Sequence, residues 1–281
     1  MSKIQFQVDQ KAVKKALQAA ARTYENVGVV PKAIADRLLE RLDFIRLNPL
    51  CVVDVGARTG YATQQLEERY REAIVVGLDL SVAILQAASS KMIVGEYTAL
   101  PFADQSVDLI FSNLAFQWSS DLQHTLQECH RVLKPGGLLL FSMVGPDTLK
   151  ELRSSFADGH RHVHPFYDMH DIGDMLTQLR FTHPVMDMER LIVHYSSVSQ
   201  LVKDLKQLGA QNASQDRLKG LMGKTQWRQI LRNYENCREK NGALPATVEV
   251  IYGHAFGAES NLFESANREV TVPIDKIIRR N

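Results

Sequence analysis

The residues with a chemical use gather first in Val53-Asp54-Val55-Gly56-Ala57-Arg58-Thr59-Gly60-Tyr61. Glycines just after a short apolar run let backbone approach a ligand closely, and a helix starting beside them offers free N–H groups. Nineteen residues past Gly60 stands Asp79, which closes the apolar run Ile74-Val-Val-Gly-Leu-Asp79 and is followed by Leu80. A carboxylate there can accept both hydroxyls of a ribose. Glu96, in Gly95-Glu96-Tyr97, follows the next apolar run, and Asn113 and Ala115 follow the one after, in Phe111-Ser-Asn-Leu-Ala-Phe-Gln-Trp118. Together these groups suit an adenosine-type ligand, with Asp54, Gly56, Gly60, Asp79, Leu80, Glu96, Asn113 and Ala115 as the candidate cofactor-side residues.

Such groups meet only if the runs are parallel strands whose carboxyl ends share one edge. The pattern meets that condition over about residues 48–145. Strands are predicted at Cys51–Val55, Ala73–Leu80, Lys91–Glu96, Val107–Ser112 and Leu138–Ser142, and helices at Thr63–Tyr70, from Ser81, and at Asp121–Leu133. Strands alternating with helices imply right-handed βαβ units and a parallel sheet. Leu133-Lys-Pro-Gly-Gly137 reads as a turn before the fifth strand.

Ahead of this core, residues 9–24 have the period of an amphipathic helix, and a second helix is predicted after Pro31. Beyond it, Pro184–Tyr195 reads as one long strand, residues 198–240 as polar helices, and Ala246–Phe256 as a final strand. The expected architecture is a Rossmann-like α/β fold with a mostly parallel seven-stranded sheet, an antiparallel last strand and a helical cap insertion. Its expected parts are lid helices (1–47), the core (48–197), the cap (198–245), the final strand (246–257) and a tail (258–281).

Composition narrows the class. With 45% hydrophobic and 23% charged residues in 281, the chain is ordinary for a globular protein. A formal net charge of +1 provides no whole-molecule field for nucleic acid, so no such partner is expected. No apolar run approaches the roughly 18 residues of a membrane span, and no secretory apolar segment opens the chain. Three scattered cysteines, Cys51, Cys129 and Cys237, fit a reducing compartment, so a cytoplasmic location is expected.

The glycine loop, the acid at Asp79, "GEYTALPF" and "LKPGG" resemble the motifs of class I methyltransferases, whose cofactor is S-adenosyl-L-methionine. More specific segments extend the likeness over about residues 10–257. "RTYENVGVVPKAIADRLLERLD", "FSNLAFQW", "LLLFSMVGPDTLKELR", "HVHPFYDMHDIGDML" and "PATVEVIYGHAFG" are similar to the malonyl-acyl-carrier-protein O-methyltransferases of biotin synthesis. Some of these segments are shared in outline with a mitochondrial complex I assembly factor of methyltransferase fold. "DMHDIG" and "GHAFG" lean to the biotin family.

The resemblance implies methylation of the free carboxyl of a malonyl thioester carried on an acyl carrier protein. A carboxylate is already ionised near neutral pH, so such a site needs positioning rather than a strong base. Tyr24 matches the tyrosine of the family's lid segment and is expected to line the transfer channel. Arg153 is the expected cation for the substrate carboxylate. No metal is expected. His160, His162, His164 and His170 cluster with Asp168 and Asp171, but in the family's loop-to-helix start, where Asp168 or Asp171 would cap a helix. Seven basic against three acidic residues between Asp216 and Lys240 form a candidate docking face for an acidic carrier.

One departure stands out. Arg58 replaces the middle glycine of the cofactor loop, where a side chain resists φ > 0 and crowds the ligand. Three outcomes are open: ordinary backbone angles with the side chain in solvent, weakened cofactor binding, or a catalytically silent binding module.

Overall fold

The computed structural model describes residues 6–85 and 91–258. The chain opens with helices α1 (Gln10–Ala20), α2 (Tyr24–Val27) and α3 (Val29–Glu40). Asp9 caps α1 by accepting from the Ala12 N–H at 3.1 Å. Helix α3 starts two residues before Pro31, earlier than expected. Proline is tolerated there because first-turn N–H groups have no partner inside the helix.

The alternating core follows as β1 (Cys51–Val55), α4 (Tyr61–Arg69), β2 (Ile74–Asp79), α5 (Val82–Leu85), β3 (Met92–Val94), β4 (Val107–Asn113), α6 (Leu122–Val132) and β5 (Leu133–Val144). After it come α7 (Lys150–Ser154), α8 (Met169–Gln178), β6 (Thr182–Tyr195), α9 (Val198–Gln207), α10 (Lys224–Glu235) and β7 (Leu244–Phe256). The strands form one sheet in the order β3-β2-β1-β4-β5-β7-β6. β7 runs antiparallel to both β5 and β6, while the other neighbours pair in parallel. The chain order reverses between β1 and β4, the switch point where open α/β sheets bind ligands.

Leu133-Lys-Pro-Gly-Gly137 is not a free turn. It is strand from Leu133 onward, and five steps along β5 (Leu133 to Leu138) face two along β4 (Val107 to Leu109). That bulge absorbs the glycines inside the ladder. The tail prediction for 259–281 lies outside the described residues.

Side chains alternate across each strand, so β1 serves two cores. Val53 and Val55 pack with Leu17, Trp118 and Leu126 on one face, and Val52 packs with Ile34, Leu38 and Leu66 on the other. A third cluster joins Leu149 and Leu152 to Val198, Leu201, Tyr234 and Leu244, fastening α9 and α10 over the carboxyl edge of the sheet.

Candidate active site

β1 ends at Val55, and the chain turns at Gly56 with φ +83°. A Cβ on Gly56 would lie 2.1 Å from the Ala115 methyl, so the loop after β4 packs directly against this turn. Gly60, φ +89°, then starts α4. Both positions need glycine, one for space as well as angle and one for angle.

Arg58 also has positive φ, +52°, and is only 7% exposed. Of the three open outcomes, ordinary angles with a solvent-facing side chain is therefore excluded. A left-handed non-glycine residue costs about 1–2 kcal/mol, which its partner offsets. Its backbone N–H donates to Asp79 Oδ2 at 3.2 Å, and Nη1 reaches the same oxygen at 3.5 Å. Ser81 N–H donates to Asp79 Oδ1 at 3.1 Å. The side chain of Asp79 is 0% exposed. Burial opposes the Arg58 charge, but Asp79, Tyr97 and Tyr24 outweigh it and raise the guanidinium pKa.

Two buried groups flank this pair. Asp54 accepts from the Thr63 hydroxyl at 2.7 Å, and burial pushes its pKa up to about 7 against the pull of that bond. The Tyr97 hydroxyl is buried without a hydrogen-bond partner, 3.2 Å from where a Cβ on Gly56 would sit. A buried polar atom left orphaned at a ligand loop is a group awaiting a partner. A glycine cradle, a buried ribose-type acid and this hydroxyl together fit an adenosyl group, once Arg58 shares or yields Asp79.

Two cavities meet here. A polar one of about 350 Å³ is lined by Tyr24, Asp54, Gly56, Arg58, Thr59 and Asn113, among others. A mainly apolar one of about 910 Å³ lies between the sheet edge and the cap, walled by residues including Leu114, Trp118, Phe166, Leu205 and Val248. Tyr24, Pro31 and Arg58 line both, and Arg58 is the charged residue of the apolar cavity. Tyr24 thus stands at the junction, buried, with its hydroxyl pKa raised by desolvation.

The other expected residues divide. Asn113 lines the polar cavity, its amide donating to the Pro31 carbonyl at 3.0 Å. Ala115 lies beneath Gly56, and Leu80 is buried in the core rather than on a cavity wall. Glu96 is half-exposed and ion-paired with Lys14 of α1, away from both cavities. Arg153 is not at the apolar cavity. Its guanidinium donates to the Thr148 carbonyl at 3.0 Å and lines an outer depression beside Phe156 and His160. Arg153 is exposed on α7. Asp168 caps α8 by accepting from the His170 N–H at 2.8 Å, and His162 pairs with Asp158 at 2.8 Å. His164 is buried against Phe6, Trp118 and Phe166.

Sequence reasoning missed the seating of Arg58 on Asp79, and missed Tyr97 and Thr63. Tyr97 had a signal, an aromatic residue directly after a strand-end acid. Thr63 had one too, at the helical position facing back to Asp54.

Residues 53–141 match the family described as methyltransferase domain. The chain is 91% identical, over the full length of both, to malonyl-acyl-carrier-protein O-methyltransferase 1 of Coxiella burnetii. It is 45% identical to the malonyl-acyl-carrier-protein O-methyltransferase of Gallionella capsiferriformans, over 90% of this chain and 92% of that one. Its fold is similar to that of the Haemonchus contortus phosphoethanolamine N-methyltransferase 2 solved with S-adenosylhomocysteine, with TM-score 0.53 and 13% identity over 88% of this chain and 60% of that one. At that identity the likeness shows fold alone. The full-length relatives show more: this chain belongs to the malonyl-acyl-carrier-protein O-methyltransferase family.

Proposed function

We propose that this protein methylates the free carboxyl of a malonyl thioester borne by acyl carrier protein, at the start of biotin synthesis. The observation that carries the reading is the junction of a polar, glycine-cradled cavity with a larger apolar one at Tyr24 and Arg58. Gly56, Asp54, Asn113 and Asp79 would hold S-adenosyl-L-methionine, which supplies an electrophilic methyl group when bound. The acyl arm would occupy the apolar cavity.

The chemistry asks little of the side chains. With the cofactor bound, one carboxylate oxygen would take its methyl group, and the carbon–sulfur electron pair would stay on the departing sulfur. No proton moves. The protein contributes alignment and a dry cavity. Esterification masks the charge, so enzymes that extend apolar acyl chains accept the product.

A third cavity, about 1100 Å³, shares Leu149, Phe166, Leu205 and Ala210 with the apolar one and carries Arg161, Lys206 and Arg217. It supports an arm reaching inward from a carrier docked on the cap. Exposed Lys224, Arg228 and Arg232 fall at successive i, i+4 positions of α10, one basic face for an acidic carrier. Among the described residues no helix is long and apolar enough to cross a membrane. That and the three free cysteines support work in the cytoplasm.

Arg58 seated on Asp79 favours one other reading, a silent binding module. Growth separates the two. Expression in a strain lacking its biotin methyltransferase is expected to restore growth without biotin, and failure of a well-expressed protein to do so contradicts the enzyme reading.

A further inference from the structure

The acceptor brings a carboxylate into a cavity whose walls are otherwise uncharged. A carboxylate leaves water for such a place only if a cation meets it. Arg153 turns away, and Arg161, Lys206 and Arg217 sit at the outer mouth. Among the described residues, Arg58 alone of the charged ones lines the apolar cavity, at the end nearest the glycine loop.

Its present bond leaves it free to serve. One guanidinium nitrogen reaches Asp79, at 3.5 Å, a long single contact. A guanidinium carries five N–H donors in a fork that fits a carboxylate bidentately, so most of its donors remain. The Tyr24 hydroxyl adjoins it. Its side chain is buried on a left-handed backbone rather than out in solvent.

Resting on the malonyl reading above, we propose that Arg58 is the acceptor-carboxylate site, held in reserve by Asp79 until a ribose takes that acid. A guanidinium that grips one acceptor oxygen orients the other toward the methyl group. The glycine usual at this loop position is thereby exchanged for a residue that selects acceptors with a free carboxyl. Two consequences follow from the shared acid. Arg58 competes with the ribose for Asp79, so the cofactor side binds less tightly than its residues allow. The acceptor binds best once the ribose is in place, so binding is ordered.

Calorimetry on the full chain tests this without turnover. The titrants are S-adenosylhomocysteine, then malonyl-CoA into the S-adenosylhomocysteine complex, with butyryl-CoA as the acyl control lacking the free carboxyl. Wild type is expected to bind malonyl-CoA about tenfold or more tightly in the complex than alone. Arg58→Gln is expected to lose about tenfold or more in malonyl-CoA affinity, to keep its butyryl-CoA affinity, and to bind S-adenosylhomocysteine at least as tightly as wild type. Arg58→Lys, which keeps charge without the fork, is expected to fall between. Unchanged malonyl-CoA affinity in Arg58→Gln, or loss of S-adenosylhomocysteine binding in it, overturns the proposal. If wild type itself fails to methylate any malonyl thioester, the functional reading is what fails.

Discussion

The two cavities that meet at Tyr24 are built by different means. The polar one is made from the β1–α4 turn, the end of β4 and the α2–α3 residues Tyr24, Pro31, Lys32 and Ala35, and the backbone conformation of the turn shapes it. Gly56 and Gly60 exist for angle and space. The apolar one is assembled from α3, the loop after β4, α9, β6 and β7, segments far apart in sequence. Its shape rests on ordinary side-chain packing. The first cavity is therefore brittle to single atoms, and the second is tolerant in its walls but intolerant of any charge other than the one placed at its end.

The largest expected effect is at the shared acid. Asp79→Asn leaves Arg58 buried without its anion and removes the ribose acceptor. Breaking a buried pair from one side costs about 3 kcal/mol, visible as a lower midpoint in denaturant unfolding. Binding of S-adenosylhomocysteine is expected to fall below detection in calorimetry. Full stability with full binding would break the contrast between the cavities.

Gly56→Ala should follow. The new methyl meets Ala115 at 2.1 Å on a backbone of φ +83°, so the turn must shift. Overpacking of this kind costs about 1–3 kcal/mol. Cofactor-product affinity should fall by tenfold or more while butyryl-CoA, a ligand of the other cavity, binds as before. A parallel loss of both would show that the cavities are one site.

His164 sharpens the apolar side. Burial holds its pKa down to about 4, against an ordinary 6.5, and its ring packs tilted on Trp118 and edge-on to Phe166, two walls of the apolar cavity. A folded pKa below the unfolded one means the unfolded chain binds more protons between those values. The stability tied to neutral His164 is thus present above pH 6.5 and lost as pH falls toward 4. Wild type should lose about 1 kcal/mol per pH unit more than His164→Phe across that window, by urea unfolding. Asp54, raised to about 7, acts with the opposite sign over an overlapping range in both proteins and cancels in the difference. Equal slopes would mean that His164 is not buried neutral.

The smallest effect belongs to the surface. Reversing Arg228 and Arg232 on α10 should raise KM for malonyl carrier protein about three- to tenfold and leave KM for malonyl-CoA unchanged. An equal rise for both would remove the carrier from this face.

The contrast also explains what could be read from the chain. Asp54, Gly56, Gly60 and Asp79 were legible because a strand, a glycine turn and a second strand end fix their positions within thirty residues. The seven strands were legible in the same way, by period, and their reversed last member by its place after the insertion. Arg153 lies outside the apolar cavity, on a short helix whose packing no local period records. Glu96 sits at the expected strand end, yet Lys14 of α1 holds it, an ion pair spanning 82 positions. Arg58 was conspicuous as a departure, but its partner was not. A flexible side chain on an unusual backbone has many directions, and only the buried Asp79 behind the turn selects one.

The most direct test is a transfer assay. The purified protein is incubated with methyl-labelled S-adenosyl-L-methionine and either malonyl carrier protein or acetyl carrier protein, and the acyl groups are weighed by mass spectrometry. The expected result is one labelled methyl on the malonyl group, released by mild base as an ester must be, and none on the acetyl group. Label on neither, or equal label on both, contradicts a carboxyl methyltransferase.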